Sequence, residues 1–398
     1  MFNSAVVIGA GVMGPGIARH LAAHLDQVVL LDISRSQLDR ARSESGDATI
    51  NYSDDFETLK SADYIIEAVF EDLETKLSLL RQASAYVTEN TVIATNTSSL
   101  LVRDLSAGVT LPSRFLGVHY NNPADMNPVV EIIAGPQTAS ALADQVCDWM
   151  RSTGKLAITC ADTSGFILNR QSLPYINEAV RCLDVATPAA IDDIARARLG
   201  VGLGPFAVMN LVGLPVMAAA SRNLGILGPG YAPAAQLQDK AAEAAPEWDI
   251  GKSPAISESL AAEVAGRLLG AQLYPGKDIL DAGLCARDDL HTICIEALGY
   301  ERSSPQLLES LPDNEVNHLL ATYLVSSGQS EAINLDVVDT EISVVVFNPT
   351  RDVFLPGKAS KDRITRHQGR QRFEHGITLR VIEEGRAVTT RGPHSLHW

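Results

Sequence analysis

Cysteine is scarce, with five residues in a chain of 398. Cys147, Cys160, Cys182, Cys285 and Cys294 stand far apart, are odd in number and include no CxxC. That excludes a disulfide framework and a zinc knuckle, and it points to a reducing compartment. Basic residues are outnumbered 32 to 48, which leaves a net charge of −16. An acidic body repels polyphosphates, so neither nucleic acid nor an anionic membrane is expected as a partner. No charged n-region with a cleavage site precedes the first strand pattern, and the expected location is cytoplasmic. Long hydrophobic runs are lacking too. The one uncharged stretch, Leu199 to Ser221, is interrupted by Gly200, Gly202, Gly204, Pro205, Asn210, Gly213 and Pro215. Breakers at that density suit a turn leading into a buried helix rather than a membrane span. His20 and His24 lie four apart on a helical pattern but have no evident third ligand, so no metal site is expected.

What is present reads as a globular enzyme of more than one domain: 46% of residues are hydrophobic and 20% charged. Ala5–Ile8, a helix from Gly14 and the apolar run Gln27–Leu31 form a strand–turn–helix–strand unit, the mark of a parallel sheet. Further strands are expected at Tyr64–Ile66, Val92–Thr95, Phe115–His119, Val129–Ile133 and Leu156–Cys160, with helices at Ser34–Ser45, Glu74–Tyr86 and Ser140–Ser152. From Phe166 the periodicity is helical. Leu183-Asp184, Asp193-Ile-Ala-Arg and Gly204-Pro-Phe have faint echoes in Leu280-Asp281, Asp289-Leu-His-Thr and Ser304-Pro-Gln. The expected organisation is therefore α/β: a Rossmann-type parallel sheet over 1–165, an all-α domain over 166–250, a degenerate second copy over 251–330 and a β-rich tail over 331–398. In that tail, Ile342–Phe347 alternates and Ile377–Val388 reads as a hairpin around Glu383-Glu384-Gly385. From Arg351 onward ten Lys/Arg face five Asp/Glu, so the tail is basic on an acidic body.

Gly9-Ala-Gly11-Val12-Met13-Gly14 follows the first strand and opens the first helix. Gly9 permits the tight turn, Gly11 lets the backbone approach a pyrophosphate, and Gly14 lets helix and strand close up. Asp32 closes the second strand, where a carboxylate accepts from ribose hydroxyls and repels a 2′-phosphate. The expected cofactor is NAD. Arg35 nearby keeps NADP from exclusion. Oxidising an alcohol then requires a base, and histidine suits neutral pH. His119 ends a strand at the edge where open α/β sheets bind ligands, and Glu131 lies in the next strand across a turn holding Pro123 and Pro128. A carboxylate on one imidazole nitrogen fixes the tautomer and raises the basicity of the other.

Six segments in order carry a resemblance: GAGVMGPGIA at Gly9–Ala18, EAVFEDLETK at Glu67–Lys76, NTSSL at Asn96–Leu100, GVHYNNPADMNPVVEII at Gly117–Ile133, DTSGFILNR at Asp162–Arg170 and GPF at Gly204–Phe206. Together they resemble the L-3-hydroxyacyl-CoA dehydrogenase family. The resemblance implies NAD-dependent interconversion of a 3-hydroxyacyl thioester and its 3-oxo form, with His119 and Glu131 as the catalytic pair. It places Ser98 and Asn169 on the substrate oxygens and Asn122 in the substrate site. Glu71 and Lys76 would lie near the nicotinamide ribose, with Asn96 joining Gly9, Gly11, Val12, Met13, Gly14 and Asp32 around the cofactor. It also implies a role in fatty acid metabolism and dimerisation through the helical domain, giving a possible homodimer.

Only 39 residues separate Asp32 from Glu71, where typical members carry a helical hairpin that contacts CoA. Two alternatives stay open on that ground. One is the same chemistry on an acyl carrier protein, whose acidity would give the basic tail a docking role in polyketide extender-unit biosynthesis. The other is a non-catalytic dinucleotide-binding protein of structural or regulatory role. Asn96–Ser99 is also open to a plainer reading, as the cap of the following helix.

Overall fold

The computed structural model describes residues 2–45 and 49–328 together with the backbone of the strands between 340 and 397. Short runs rich in Val, Ile and Leu form strands because branched side chains suit a sheet covered on both faces. The strands β1 (Ser4–Ile8), β2 (Gln27–Leu31), β3 (Ile50–Ser53), β4 (Tyr64–Glu67), β5 (Val92–Thr95), β6 (Phe115–Tyr120), β7 (Val129–Ile133) and β8 (Leu156–Cys160) make one sheet. Their order is β3-β2-β1-β4-β5-β6-β7-β8. All neighbours run parallel except the antiparallel β6–β7 pair.

The helices α1 (Gly14–Ala22), α2 (Arg35–Ser45), α3 (Leu73–Ser84), α4 (Val102–Leu105) and α5 (Ser140–Ser152) link these strands. One face of the sheet is covered by Ile17, Leu21, Leu38, Val146 and Trp149 from α1, α2 and α5. Leu80 and Ala83 of α3 bury against the other face. The strand order reverses at β1, between β2 and β4, which opens a crevice at the carboxyl ends of the strands. Among its described residues, the short segment from Asp32 to Glu71 holds α2, β3, one 3-10 turn and β4. The strand β3 is invisible to pattern reading because Ile50 is its only aliphatic residue.

Beyond the sheet come α6 (Leu168–Arg181), α7 (Pro188–Ile194), a π turn (Ala195–Leu199), α8 (Pro205–Val212), α9 (Leu214–Leu224) and α10 (Ala235–Ala241). A second series follows: α11 (Glu258–Asp281), α12 (Arg287–Thr292), another π turn (Ile293–Ala297), α13 (Ser304–Ser310) and α14 (Asp313–Ser326). Each series has a long helix, a short helix, a π turn and a left-handed glycine, Gly200 (φ 67°) or Gly299 (φ 65°). A Pro-containing helix start follows in both. The two series thus share the same order of parts.

The two series share a core of Tyr175, Ile176, Phe206, Leu268, Leu290 and Ile293, which also takes in Val129 of β7 and Ile158 of β8. The uncharged stretch Leu199–Ser221 corrects one expectation: it leads into two short helices, not one buried helix. The helical stretches Pro205–Val212 and Leu214–Leu227 meet at a 104° bend, and no single described helix is long and apolar enough to cross a membrane. Gly213, at φ 98°, makes the break. Phe206, Met209, Leu214 and Ala218 face inward while Leu211 and Val216 remain exposed.

The tail strands β9 (Thr340–Asn348), β10 (Arg351–Ala359), β11 (Thr365–His367), β12 (Arg370–Arg372), β13 (Thr378–Glu383), β14 (Arg386–Arg391) and β15 (Ser395–His397) form two small antiparallel sheets. The expected hairpin is β13–β14, with Glu383 opposite Arg386. The side chains of this tail, including the arginines expected to meet an acidic carrier, lie outside the described residues.

Candidate active site

The chain leaves β1 through Gly9, at φ 111°, and enters α1 at Gly14. A Cβ on Gly14 would lie 1.7 Å from the Gly9 carbonyl oxygen, so only glycine lets turn and helix meet. A Cβ on Gly11 would meet nothing within 4 Å, which leaves an open cradle above the turn. The start of α1 has no side-chain cap and no acid in its first turn, so its free N–H groups suit an anion. Asp32 accepts from the Ala10 amide at 2.6 Å and the Ser34 amide at 2.7 Å, which fixes its carboxylate at the end of β2. Arg35 turns to Asp54 at 2.7 Å, a placement that engages the cation otherwise open to a 2′-phosphate. Val12 and Ile33 expose apolar side chains on either side. This set fits a dinucleotide whose ribose keeps its 2′-hydroxyl.

The antiparallel register of β6 and β7 sets His119 directly opposite Glu131. His119 Nδ1 lies 2.6 Å from Glu131 Oε2, and both side chains are buried. Glu131 Oε1 accepts from the backbone amides of Ile167 (2.8 Å) and Leu168 (3.0 Å) at the start of α6. Just before them Phe166 is held at φ 45°, a region costly for a bulky residue, and its ring packs 5.7 Å from the imidazole. With Nδ1–H donated to the carboxylate, His119 Nε2 is left as an acceptor.

Glu71, after β4, gathers the Thr97–Ser99 loop. Its Oε1 accepts from Thr97 Oγ1 (2.6 Å), the Ser98 amide (2.9 Å) and the Ser99 amide (2.9 Å). Burial alone would raise the Glu71 carboxyl, but the Lys76 charge and these hydrogen bonds outweigh it and hold it below the usual range. Asn169 of α6 donates to the Ser98 carbonyl at 3.1 Å, which ties the helical layer to this loop. The Asn96 side chain accepts from the Tyr120 amide at 2.9 Å. The cap reading of Asn96–Ser99 does not hold: Asp162 caps α4, accepting from Val102 and Arg103. The turn after β6, with a cis Asn122–Pro123 bond, is gripped by the Lys155 ammonium, which donates to the carbonyls of Ala124 and Asn127.

One cavity of about 430 Å³ joins these groups. Val12 and Met13 of the glycine turn line it, and so do Glu71, Asn96, Ser98, His119, Asn122 and Asn169. Lys76 is a correction to the expected set. It is fully buried, held at 2.8 Å by Glu67 and 3.5 Å from Glu71, so it stands behind Glu71 rather than on the cavity surface. Thr95 also donates to Glu67. Other parts of the wall were missed in the sequence, among them Val201 and Leu203 from the first helical series and Ala297, Leu298 and Tyr300 from the second. The one available signal was the internal repeat, which sets both glycine turns at equivalent places.

Comparison with known proteins finds relatives over the sheet and the first helical series. The model of the 3-hydroxyacyl-CoA dehydrogenase NAD-binding domain matches residues 4–49 and 43–163, and that of the C-terminal domain of the same dehydrogenases matches 165–249. The chain is 36% identical over 241 residues to 3-hydroxyadipyl-CoA dehydrogenase of Escherichia coli, covering 55% of this chain and 51% of that one. It therefore spans about half the length of that relative. The solved (S)-3-hydroxybutyryl-CoA dehydrogenase of Ralstonia eutropha is 31% identical, with a TM-score of 0.58, over 61% of this chain and 94% of that chain. A 3-hydroxybutyryl-CoA dehydrogenase from Escherichia coli, 24% identical, shares the fold over 82% of this chain and 95% of its own, at a TM-score of 0.71.

Proposed function

This chain belongs to the 3-hydroxyacyl-CoA dehydrogenase family, and on that footing we propose that it interconverts a 3-hydroxyacyl-CoA and its 3-oxoacyl form. The observation that carries this reading is the His119–Glu131 pair, at 2.6 Å, in one cavity with the glycine turn. NAD, when bound, supplies the acceptor for the hydride that leaves C3. Gly9, Gly11, Val12, Met13, Gly14 and Asp32 would hold it. His119 Nε2 takes the hydroxyl proton as C3–O becomes a carbonyl. Glu131 stabilises the resulting imidazolium without itself taking the proton. Ser98 Oγ and Asn169 hydrogen-bond the substrate oxygens, and Asn122 shapes the site beside them. Glu71 holds the Ser98 loop against the cofactor side, and the buried Lys76 in turn orients Glu71.

The same reading places the enzyme in fatty acid metabolism in the cytoplasm. The exposed apolar side chains of Leu211, Val216 and Ile226 support a homodimer through the helical layer. The test is NADH consumption with acetoacetyl-CoA, run beside acetoacetyl on an acyl carrier protein. Turnover of the CoA ester is expected. His119→Ala should lower kcat by about 10²–10⁴-fold with NADH binding retained, and an undiminished rate would place the base elsewhere.

A further inference from the structure

We propose that the second helical series sets the acyl specificity of the site: Ala297 and Leu298 stop an uncharged acyl chain, and the wall they complete rejects a chain ending in a carboxylate. The inference rests on the thioester reading above and goes beyond it by naming the class of acyl group.

The helix α6 measures the cavity. Asn169, Ser172 and Ile176 line it along one face, and a rise of about 1.5 Å per residue puts Ile176 about 10 Å beyond Asn169. The reacting groups stand at the Asn169 end. At the other end Tyr175 and Ile176 are buried, and the Tyr175 ring lies 5.7 Å from that of Tyr300 in the second series. A thioester carrier is bulky and polar, so the acyl terminus is the part that suits the end where Tyr175 and Ile176 are buried.

The first series adds Val208 and Met217 to the lining, and the second adds Ala297 and Leu298, which precede Tyr300 by three and two residues. Among the described residues lining the cavity there is no lysine or arginine, and Glu71 and His119 sit at the Asn169 end. A carboxylate carried into the Tyr175 end would lose its hydration and meet no cation among the described residues, only neutral groups such as the Tyr175 hydroxyl, which has no hydrogen-bond partner of its own; a charge buried without a counter-charge is costly.

The wall is fixed in place. The Gly202 amide donates to the Gly299 carbonyl at 3.4 Å, so the two glycine turns touch. A Cβ on Gly200 would strike the side chain of Glu301. Ile293 and Cys294 of the second π turn share a core with Val129 of β7, the strand that carries Glu131. The stop is therefore held at a set distance from the catalytic pair. Ala297 and Leu298 themselves are only half-buried, so substitution there alters the cavity without opening the core.

The test compares kcat/KM for straight-chain 3-hydroxyacyl-CoA esters of rising length, and for 3-hydroxyhexanoyl-CoA against 3-hydroxyadipyl-CoA, which match in carbon count. The parent enzyme should favour the hexanoyl ester by at least about a hundredfold. Leu298→Ala should move the long-to-short preference upward by about tenfold, and Ala297→Leu should move it downward by a similar factor. Leu298→Arg, which supplies a cation, should narrow the hexanoyl-to-adipyl gap. General damage to folding lowers every substrate alike, whereas these shifts appear in ratios and carry opposite signs. Equal handling of the two six-carbon esters by the parent enzyme, or an unchanged length profile in both Ala297→Leu and Leu298→Ala, would overturn the proposal. Silence with every ester would overturn the thioester reading, and this inference with it.

Discussion

Replacing Glu131 by glutamine keeps the size of the side chain and removes one acceptor. The carboxylate now receives three donors: the amides of Ile167 and Leu168 and the Nδ1–H of His119. A glutamine has one acceptor oxygen and an NH₂ group. If its oxygen stays with the two backbone amides, the NH₂ faces His119 Nδ1. That nitrogen must then give up its proton, Nε2 carries it instead, and the lone pair needed to take the hydroxyl proton is gone. The imidazolium formed during turnover also loses its counter-charge.

The same kind of change in a serine-protease triad costs about 10⁴ in kcat through the wrong tautomer. For Glu131→Gln we expect a loss on the order of 10²–10⁴ in kcat. If the side chain flips instead, two buried amides lose their acceptor, at about 1–3 kcal/mol, and Tm drops by several degrees. The assays are kcat with acetoacetyl-CoA, NADH affinity by fluorescence quenching, and Tm. A low kcat with near-normal Tm and NADH affinity is the tautomer outcome. A kcat within about tenfold of the parent would refute the role given to Glu131.

Two further outcomes follow from groups around the site. His20 is buried against Tyr120 and Thr153, and burial first, then the Lys155 charge, lower its pKa from 6.5 to about 4. The unfolded chain therefore binds more protons between those values. The corresponding stability, about 3 kcal/mol, is fully present above pH 6.5 and is lost as the pH falls towards about 4. Urea melts of the parent and of His20→Gln should show a shallower loss over that window in the variant, and identical slopes would count against the assignment. Gly14→Ala forces its Cβ onto the Gly9 carbonyl, so NADH affinity should fall by tenfold or more, roughly the factor that about 1.4 kcal/mol produces. An unaltered Kd would remove the turn from the cofactor site.

Much of the sheet and of the His119–Glu131 contact was legible because each is written locally. Runs such as Val-Val-Glu-Ile-Ile alternate or cluster at strand spacing, and glycine at positions 9, 11 and 14 has few purposes other than a tight turn into a helix. His119 and Glu131 could be paired because two prolines fold the chain back between them. Lys76 was misplaced for the opposite reason. The resemblance set it near the nicotinamide ribose, and only the assembled sheet brings Glu67 of β4 against it, with Thr95 of β5 donating to that same Glu67. The far wall of the cavity was not legible as a site. Ala297, Leu298 and Tyr300 carry no chemistry that distinguishes them from core residues, and their place depends on how two helical series meet.

That meeting has a consequence for behaviour on dilution. The segment holding Ala297–Tyr300 docks on the sheet from within the same chain, through the bond from the Ala161 amide to the Leu284 carbonyl and the shared core at Val129. Its docking is an intramolecular step, governed by an effective concentration on the order of millimolar rather than by the amount of protein in solution. The far wall therefore stays assembled from micromolar down to nanomolar enzyme. Whatever acyl preference Ala297 and Leu298 impose is therefore assembled within the single chain.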